Sequence, residues 1–391
     1  MKQGWEIKKI KEVSALITDG DWIESKHQSN DGIRLIQTGN IGNGTFKAKE
    51  DKPHYISEST FKELGCTEIF SGDCLVSRLP EPVGRACIVP EIGSRMITAV
   101  DCSIIRFDKN ILPKLFIYYS QSSSYQRDIN NNTTGTTRKR ISRKNLEAIP
   151  IPVPPLPEQE KIVAELDCLS GIIEKKRQQL KELDALAQSI FYEMFGDPVT
   201  NEKGWEVKKL GEVGALARGV SKHRPRNAPE LLGGNIPLIQ TGDIANSDMY
   251  IKSYKSTYSE FGLSQSKLWP SGTLCITIAA TIGKCSILTF DSCFPDSVVG
   301  YIVNAEYVNN EYIYYIFGRL QKILEDNAPA VAQKNINLQM LNELTIPLPP
   351  LPLQQTFASK MEAIEKQKEL IKQSINEVET LFNSRMQEYF G

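Results

Sequence analysis

The chain has 391 residues, a formal net charge of −1, 40% hydrophobic residues and 24% charged residues, an ordinary composition for a globular protein of two or three domains. It has no apolar run long enough for a membrane span, and its start, MKQGWEIKKIKEV, has no apolar signal core, so we expect a cytoplasmic protein. The eight cysteines form no Cys-x-x-Cys pair and the three histidines have no paired spacing. This usage argues against a zinc site and favours free thiols in a reducing compartment.

The sequence repeats itself at an interval of about 195 residues. Segment 151–196, which begins IPVPPLPEQEK, returns without a gap as segment 346–391, which begins IPLPPLPLQQT, and both copies end on Phe-Gly. Proline fixes φ and removes an amide donor, so we expect each proline-rich lead to be extended. We interpret the lead as a stiff spacer between a globular domain and the long helix that follows.

Both halves open with the same two motifs. In GWEIKKIKEV (4–13) and GWEVKKLGEV (204–213), apolar side chains alternate with Lys and Glu, which predicts a strand followed by a turn of helix. RLIQTGNI (34–41) and PLIQTGDI (237–244) predict a strand running into a tight turn. Between these motifs the halves diverge into polar stretches, which we predict to be exposed loops.

Two further segments match between the halves. SGDCLVSRLPEPVGRACIV (71–89) and SGTLCITIAATIGKCSIL (271–288) each predict a β-hairpin, because two apolar runs flank a short loop. LFIYYS (115–120) and EYIYYI (311–316) are apolar and aromatic, and we predict that each lies in a helix against a sheet.

The two long helices follow heptads. Lys176 interrupts the apolar row of the first helix, and Lys368 lies in that of the second. A single apolar stripe must be buried on a partner, and we expect each helix to pack on the other in an antiparallel coiled coil; the alternative is that each packs independently on its own domain. The predicted seam consists of Ile162, Leu166, Leu169, Ile173, Leu180, Leu183, Ile190, Phe357, Met361, Ile364, Ile371, Ile375, Val378 and Phe382.

These patterns predict a mixed α/β (α+β) fold in which an antiparallel coiled coil of two long helices separates two pseudo-repeated globular domains. We place the boundaries as follows: globular domain 1–152, proline lead and helix 153–196, globular domain 197–347, and proline lead and helix 348–391.

Several families of catalytic motif are missing from the sequence. It contains no phosphate-binding G-x-x-x-x-G-K-[ST] loop, no dinucleotide-binding glycine turn and no G-x-S-x-G nucleophile elbow. The Asn-Pro-Pro-aromatic motif of amino-methyltransferases and a nuclease-type Pro-Asp…Glu-x-Lys motif are also missing. Together these absences favour a binding protein over an enzyme.

The strongest signal for binding is a basic segment in the first half. Five of the seven residues from 138 to 144 are basic (Arg138, Lys139, Arg140, Arg143 and Lys144). Such a segment suits contacts to DNA phosphates, which position a protein without reading sequence; a solvated start of a helix is the alternative. The second half has Gln333, Lys334 and Asn335 at this place, and amide side chains can pair with adenine in the major groove.

The divergent loops and the hairpins supply further candidates for DNA contact. For each of them alone, a purely solubilising surface role is the alternative. The loop candidates are Lys26, His27 and Arg34 in the first half and Lys222, His223, Arg224 and Arg226 in the second, and the hairpin candidates are Arg78, Arg85 and Lys284.

The whole chain resembles the specificity subunit of a type I restriction-modification system, most closely in the Pro-Pro-Leu-Pro-Glu-Gln-Glu motif (154–160) before a heptad helix. The resemblance implies two target-recognition domains that each read one half of a split site in double-stranded DNA, with the coil setting the spacer. It also implies two methyltransferase subunits and restriction/translocase subunits as partners, which would carry S-adenosylmethionine, ATP and Mg. This chain is then expected to be non-catalytic, to bind no cofactor and to need no membrane. A scaffold that joins two proteins without reading DNA is the alternative, followed by an enzyme with an unrecognised site.

Overall fold

The computed structural model describes residues 4–136, 138–278, 283–327 and 337–391, with the backbone alone for residues 322–327. The chain divides into two compact units, Met1–Lys176 with Ser374–Gly391 and Arg177–Gln373. Among the described residues, no helix combines the length and the apolar character that crossing a membrane requires.

The first unit contains a four-stranded antiparallel sheet in the order β2-β10-β7-β8, a mixed sheet in the order β3-β5-β4-β9-β6, and the two-stranded sheets β1-β13 and β11-β12. Its strands are β1 (Glu6–Lys9), β2 (Ser14–Asp19), β3 (Gln28–Ser29), β4 (Ile33–Ile36), β5 (Tyr55–Ile56), β6 (Glu68–Ile69), β7 (Cys74–Ser77), β8 (Ala86–Ile88), β9 (Met96–Thr98), β10 (Cys102–Phe107), β11 (Thr133–Thr134), β12 (Arg140–Ile141) and β13 (Pro150–Val153). Its helices are α1 (Glu58–Leu64), α2 (Pro113–Ser120), α3 (Ser123–Asn131), α4 (Arg143–Glu147) and the first part of α5 (Leu156–Phe195), together with the end of the C-terminal helix, residues 374–390.

The second unit repeats this plan, with an antiparallel core in the sheet β15-β23-β20-β21-β17, a mixed sheet β18-β16-β22-β19, and the two-stranded sheet β14-β24. Its strands are β14 (Glu206–Lys209), β15 (Gly214–Arg218), β16 (Leu232–Leu238), β17 (Tyr250–Ile251), β18 (Ser256–Tyr258), β19 (Leu268–Trp269), β20 (Leu274–Thr277), β21 (Cys285–Leu288), β22 (Ser292–Cys293), β23 (Val298–Val303) and β24 (Thr345–Leu348). Its helices are the end of α5, residues 177–195, then α6 (Thr241–Ala245), α7 (Glu260–Ser264), α8 (Asn310–Asn327), α9 (Leu338–Glu343) and the first part of α10 (Leu351–Phe390).

The motifs shared by the two halves form the predicted elements. The opening motif is a strand followed by a 3₁₀ turn in both units, at Ile10–Val13 and at Leu210–Glu212. Both hairpins are confirmed, because β7 pairs antiparallel with β8 and β20 with β21. The aromatic segments lie in α2 and α8, where their side chains are mostly buried.

The proline-rich lead is extended, as predicted, but it is not a free spacer. In the first unit it forms β13, which pairs antiparallel with β1 so that Ile7 lies opposite Pro152 and Lys9 opposite Pro150. Neighbouring amides of a strand point to opposite edges, so prolines at alternate positions remove donors from one edge and leave the other free to pair. Ile151 and Val153, between the prolines, are buried.

Within each unit, α5 and α10 contribute an antiparallel pair of helix segments. In the first unit the beginning of α5 meets the end of α10, where Glu165 accepts a hydrogen bond from the Tyr389 hydroxyl at 2.5 Å. In the second unit the end of α5 meets the beginning of α10, where the rings of Phe195 and Phe357 lie 5.2 Å apart. All fourteen predicted seam residues are buried or half-buried.

The phenylalanine at the end of each long helix packs into the hydrophobic core of one unit. Phe390 is buried and its ring packs on Tyr119 of α2 at 5.8 Å in the first unit. Phe195 is buried and packs on Tyr312 of α8 at 4.8 Å in the second. Burying an aromatic side chain contributes about 2–3 kcal/mol, so the last turn of each helix stabilises the globular part on which it ends.

Candidate nucleic-acid interface

The basic segment 138–144 is anchored by its backbone and exposes its cations. Ile141 is fully buried, and its N–H donates to the carbonyl of Arg78 at 3.3 Å. The Ser142 hydroxyl caps α4 by accepting the N–H of Asn145 at 3.1 Å. The anchors hold the chain while the basic side chains face solvent, which suits contacts to phosphate. The exposed basic residues are Arg138, Lys139, Arg140, Arg143 and Lys144.

Acidic side chains that the sequence did not single out lie beside this segment. The carboxylate of Asp101, in the turn before β10, pairs with Arg140 at 2.9 Å and lies 3.7 Å from Arg138. Arg143 pairs with Glu147 one helical turn away, at 3.4 Å. Asp101 is about forty residues distant in sequence, so only the fold brings it to the arginines.

Arg85 occupies an internal position, which corrects its expected place on the surface. It is 8% exposed. Its guanidinium donates to the carbonyl oxygens of Ile41 at 2.7 Å, Leu79 at 2.8 Å and Thr38 at 2.8 Å, and to that of Pro82 at 3.1 Å. A buried cation persists only when its donors are satisfied, and Arg85 uses them to tie the hairpin to the turn after β4.

Arg34 and Arg78 are also internal, at 5% exposure each. Arg34 donates to the carbonyl of Ala48 at 2.8 Å. Arg78 pairs with Asp19 at 3.2 Å and donates to the carbonyl of Val100 at 2.5 Å. Burial lowers the pKa of Arg78, while the Asp19 carboxylate opposes that shift. We therefore assign both arginines to the scaffold and leave them out of the candidate interface.

In the second unit, the candidate arginines lie in the loop between β15 and β16. Arg224 and Arg226 are exposed, and both pair with the carboxylate of Asp296, Arg224 at 3.4 Å and Arg226 at shorter range. Asp296 lies in the turn before β23. The sequence-predicted arginines are therefore brought together, but by an acid that was not predicted to take part.

The other loop candidates of the second unit differ in exposure. Lys222 is exposed, and its backbone N–H donates to the carbonyl of Gln265 at 3.0 Å. His223 is half-buried, with its Nε2 3.4 Å from Glu230 and its ring edge-on to Phe261 at 5.7 Å. The geometry leaves Lys222 facing solvent and gives His223 a packing role.

The divergent loop of the first unit exposes an aromatic ring as well as a cation. Lys26 pairs with Glu24 at 2.9 Å, and this hydrogen bond lowers the pKa of Glu24. His27 is half-buried, with Nδ1 accepting the N–H of Glu24 at 3.2 Å. Trp22 is 68% exposed; a tryptophan within the polar stretch DWIESKH was the signal that could have added it to the candidates.

The remaining candidates are one hairpin lysine and three residues of the second half. Lys284 is exposed directly before β21. Gln333, Lys334 and Asn335 lie outside the described residues. Among the residues that the structure describes, no group of three or more His, Cys, Asp or Glu side chains could hold a metal ion.

Comparison with known proteins places both repeats in one family. Residues 2–184 and 202–380 match the family described as Type I restriction modification DNA specificity domain. A putative type I restriction enzyme MjaX specificity subunit of Methanocaldococcus jannaschii is 22% identical, over 96% of this chain and 90% of its own length. The type I restriction enzyme MjaIX specificity subunit of the same organism is 23% identical, over 92% of this chain and 86% of its own length.

Solved structures share the fold. The crystal structure of a type I restriction-modification S subunit from M. genitalium gives a TM-score of 0.63 at 13% identity, over 99% of this chain and 96% of that one. A chain from a study of assembly and conformational transition of the type I R-M system gives 0.60 at 18% identity, over 100% of this chain and 98% of that one. Since the family match spans both repeats and most of the sequence, the chain belongs to the type I restriction-modification DNA specificity family.

Proposed function

We propose that this chain is the DNA-recognition subunit of a type I restriction-modification complex and that each unit reads one half of a bipartite, asymmetric site in double-stranded DNA. The observation that carries the proposal is a contrast between the units. They share the strands and hairpins of their scaffold, whereas, among the residues that the structure describes, the exposed arginines that pair with an aspartate lie in different segments, 138–140 in one unit and 224–226 in the other. Two domains with the same scaffold but different exposed basic side chains are suited to bind two different half-sites.

We assign the chemistry to other subunits. The chain itself is non-catalytic and cytoplasmic in this proposal, and it binds no cofactor. Two methyltransferase subunits would supply S-adenosylmethionine, and restriction/translocase subunits would use ATP and Mg. A scaffold present in two copies supports this stoichiometry, because it offers the same surface twice. The alternative of a scaffold that never reads DNA is not favoured by membership of a DNA specificity family.

The long helices are proposed to set the spacer between the half-sites. Each has 40 residues, which corresponds to roughly 60 Å at 1.5 Å per residue. Removing one heptad from the middle of each helix should change the length of the spacer and leave both half-sites as they were, because the reading surfaces lie outside the helices. An unchanged spacer would contradict the role of the helices.

The experiment for the half-sites is an exchange of loops. The chain is produced with its methyltransferase partner, and methylation-sensitive sequencing of the host genome gives the modified site. Replacing residues 20–34 with the loop of another family member should change one half-site only, and replacing residues 217–236 should change the other. Exchange of the exposed residues of α1 (Glu58–Leu64) is the matched control and should change neither. A site that stays the same after both loop exchanges would overturn the assignment.

A further inference from the structure

The two candidate interfaces share an acidic feature that the repeat pattern does not reveal. Asp101 precedes β10 and Asp296 precedes β23, and these strands are equivalent. Each strand begins beside the end of the first hairpin strand of its unit: Cys102 of β10 lies opposite Ser77 of β7, and Val298 of β23 lies opposite Thr277 of β20. Both carboxylates therefore come from the same turn of the common scaffold.

In each unit this turn holds two arginines of the candidate interface. Asp101 holds Arg140 at 2.9 Å, with Arg138 at 3.7 Å. Asp296 holds Arg226, with Arg224 at 3.4 Å. The arginine side chains are 45–72% exposed and the aspartates 24% and 34%. The carboxylates are thus less exposed to solvent than the arginine side chains that pair with them.

The arginines reach this turn from unrelated parts of the sequence. Arg138 and Arg140 follow α3 in the first unit, whereas Arg224 and Arg226 precede β16 in the second. A common ancestor of the two repeats explains the shared turn but not the arginines, because they do not occupy equivalent positions. The recurrence of the same pairing by two routes therefore indicates a functional requirement at this turn.

We propose that Asp101 and Asp296 withhold these arginines from the phosphate backbone and so lower the sequence-independent DNA binding of each unit. This inference rests on the proposed function. An exposed Arg–Asp pair contributes about 0–1 kcal/mol, so it can be broken, but a phosphate must displace a carboxylate and approach its negative charge. Non-specific binding depends almost entirely on phosphate contacts. Contacts to base edges are additional in the specific complex, so that complex keeps these contacts when the phosphate contacts are weakened.

The test measures binding of the full chain to a fluorescently labelled random-sequence DNA duplex across roughly 50–200 mM salt. In Asp101→Asn and in Asp296→Asn, affinity at low salt should rise roughly five- to tenfold, and the salt slope should steepen by about 0.9 for each arginine released. Asp51→Asn and Glu306→Gln remove an exposed charge elsewhere in each unit and should have little effect. Circular dichroism melting checks that each variant is folded.

A second set of variants identifies the mechanism. Adding Asp101→Asn to a chain that carries Arg138→Gln and Arg140→Gln should raise affinity much less than it does in the wild-type chain, because no arginine is left to release and only the repulsion between Asp101 and the phosphate is removed. An increase of full size in this background, or none in the single variants, would overturn the inference. A wild-type chain whose DNA binding does not depend on salt would instead overturn the proposed function, and this inference with it.

Discussion

Gln159 and Gln354 make the same three hydrogen bonds, each within its own unit. The side-chain oxygen of Gln159 accepts the N–H of Leu112 at 2.9 Å, and its amide donates to the carbonyls of Asn110 and Pro154, both at 2.8 Å. Both glutamines are fully buried. The glutamine that follows the Pro-Pro-Leu-Pro motif therefore fastens the start of each long helix to its globular part.

Replacing either glutamine should destabilise the unit that contains it. In Gln354→Ala the N–H of Asn309 and the carbonyls of Tyr307 and Pro349 lose their partner. Leaving buried polar groups unpaired costs about 1–3 kcal/mol, which a lower midpoint of urea unfolding will show. Gln355→Ala, at the exposed neighbouring position, is the control and should change the midpoint little. Equal losses in both variants would contradict the proposed fastening.

Arg85→Ala should reduce stability rather than remove a DNA contact. Four carbonyl oxygens lose the buried guanidinium, at a cost of about 2–4 kcal/mol. Thermal unfolding measures the loss. Arg127→Ala replaces an exposed arginine of the same unit and should have little effect. A variant with wild-type stability but weaker DNA binding would return Arg85 to the interface.

Lys368 lies in the seam as a buried charge between two acids. Its ammonium pairs with Asp184 at 2.8 Å and Glu365 at 2.7 Å; burial lowers its pKa, but these hydrogen bonds outweigh burial and raise it overall. Lys368→Ala should cost about 1–3 kcal/mol, less than for a fully buried pair because Asp184 is exposed. Lys372→Ala is the control: Lys372 is more exposed than Lys368 and pairs with Asp248, so its loss should cost less than about 1 kcal/mol. Urea unfolding compares the two, and an equal loss would contradict the seam role of Lys368.

Cys168 should be the fast-reacting thiol of the native chain. It is exposed, whereas the other seven cysteines are buried or half-buried. Burial raises the pKa of Cys66 to about 11 and those of Cys87 and Cys285 to about 12, so little thiolate is available there at pH 8. Titration with a disulfide reagent should show one rapid reaction that disappears in Cys168→Ser, with the other thiols reacting after unfolding. Rapid reactions that remain in folded Cys168→Ser would contradict the burial of the other seven thiols.

Lys139 and Lys144 should contribute to binding through charge alone. Both are exposed in the anchored basic segment. Lys139→Ala with Lys144→Ala should weaken binding to any DNA sequence and reduce the salt slope by about 0.9 for each lysine that contacts a phosphate. Lys62→Ala, on the exposed face of α1, is the matched control. A loss confined to one DNA sequence would show that the lysines read bases.

The spacing of apolar and turn residues along the sequence predicted the long helices and the hairpins, whose formation depends on residues near one another in the chain. Heptad spacing indicated the long helices, and the apolar runs around a turn indicated the hairpins β7-β8 and β20-β21, because periodicity expresses which face an element must bury. Pairing of the proline lead with β1 was not predicted, since residues 6–9 and 150–153 are distant in the chain. Strand partners are chosen by long-range packing rather than by neighbouring residues.

By itself, the sequence determined the repeat, the two long amphipathic helices and the family resemblance, because these follow from residue order and period. Only the tertiary structure decided which arginines are available to DNA. Arg85 and Arg140 look alike as basic residues, yet one satisfies buried carbonyls and the other faces solvent beside Asp101. The burial and the ion pairs of a charged side chain depend on groups that folding brings together from distant positions in the sequence. Its chemical role is therefore decided only by the tertiary structure.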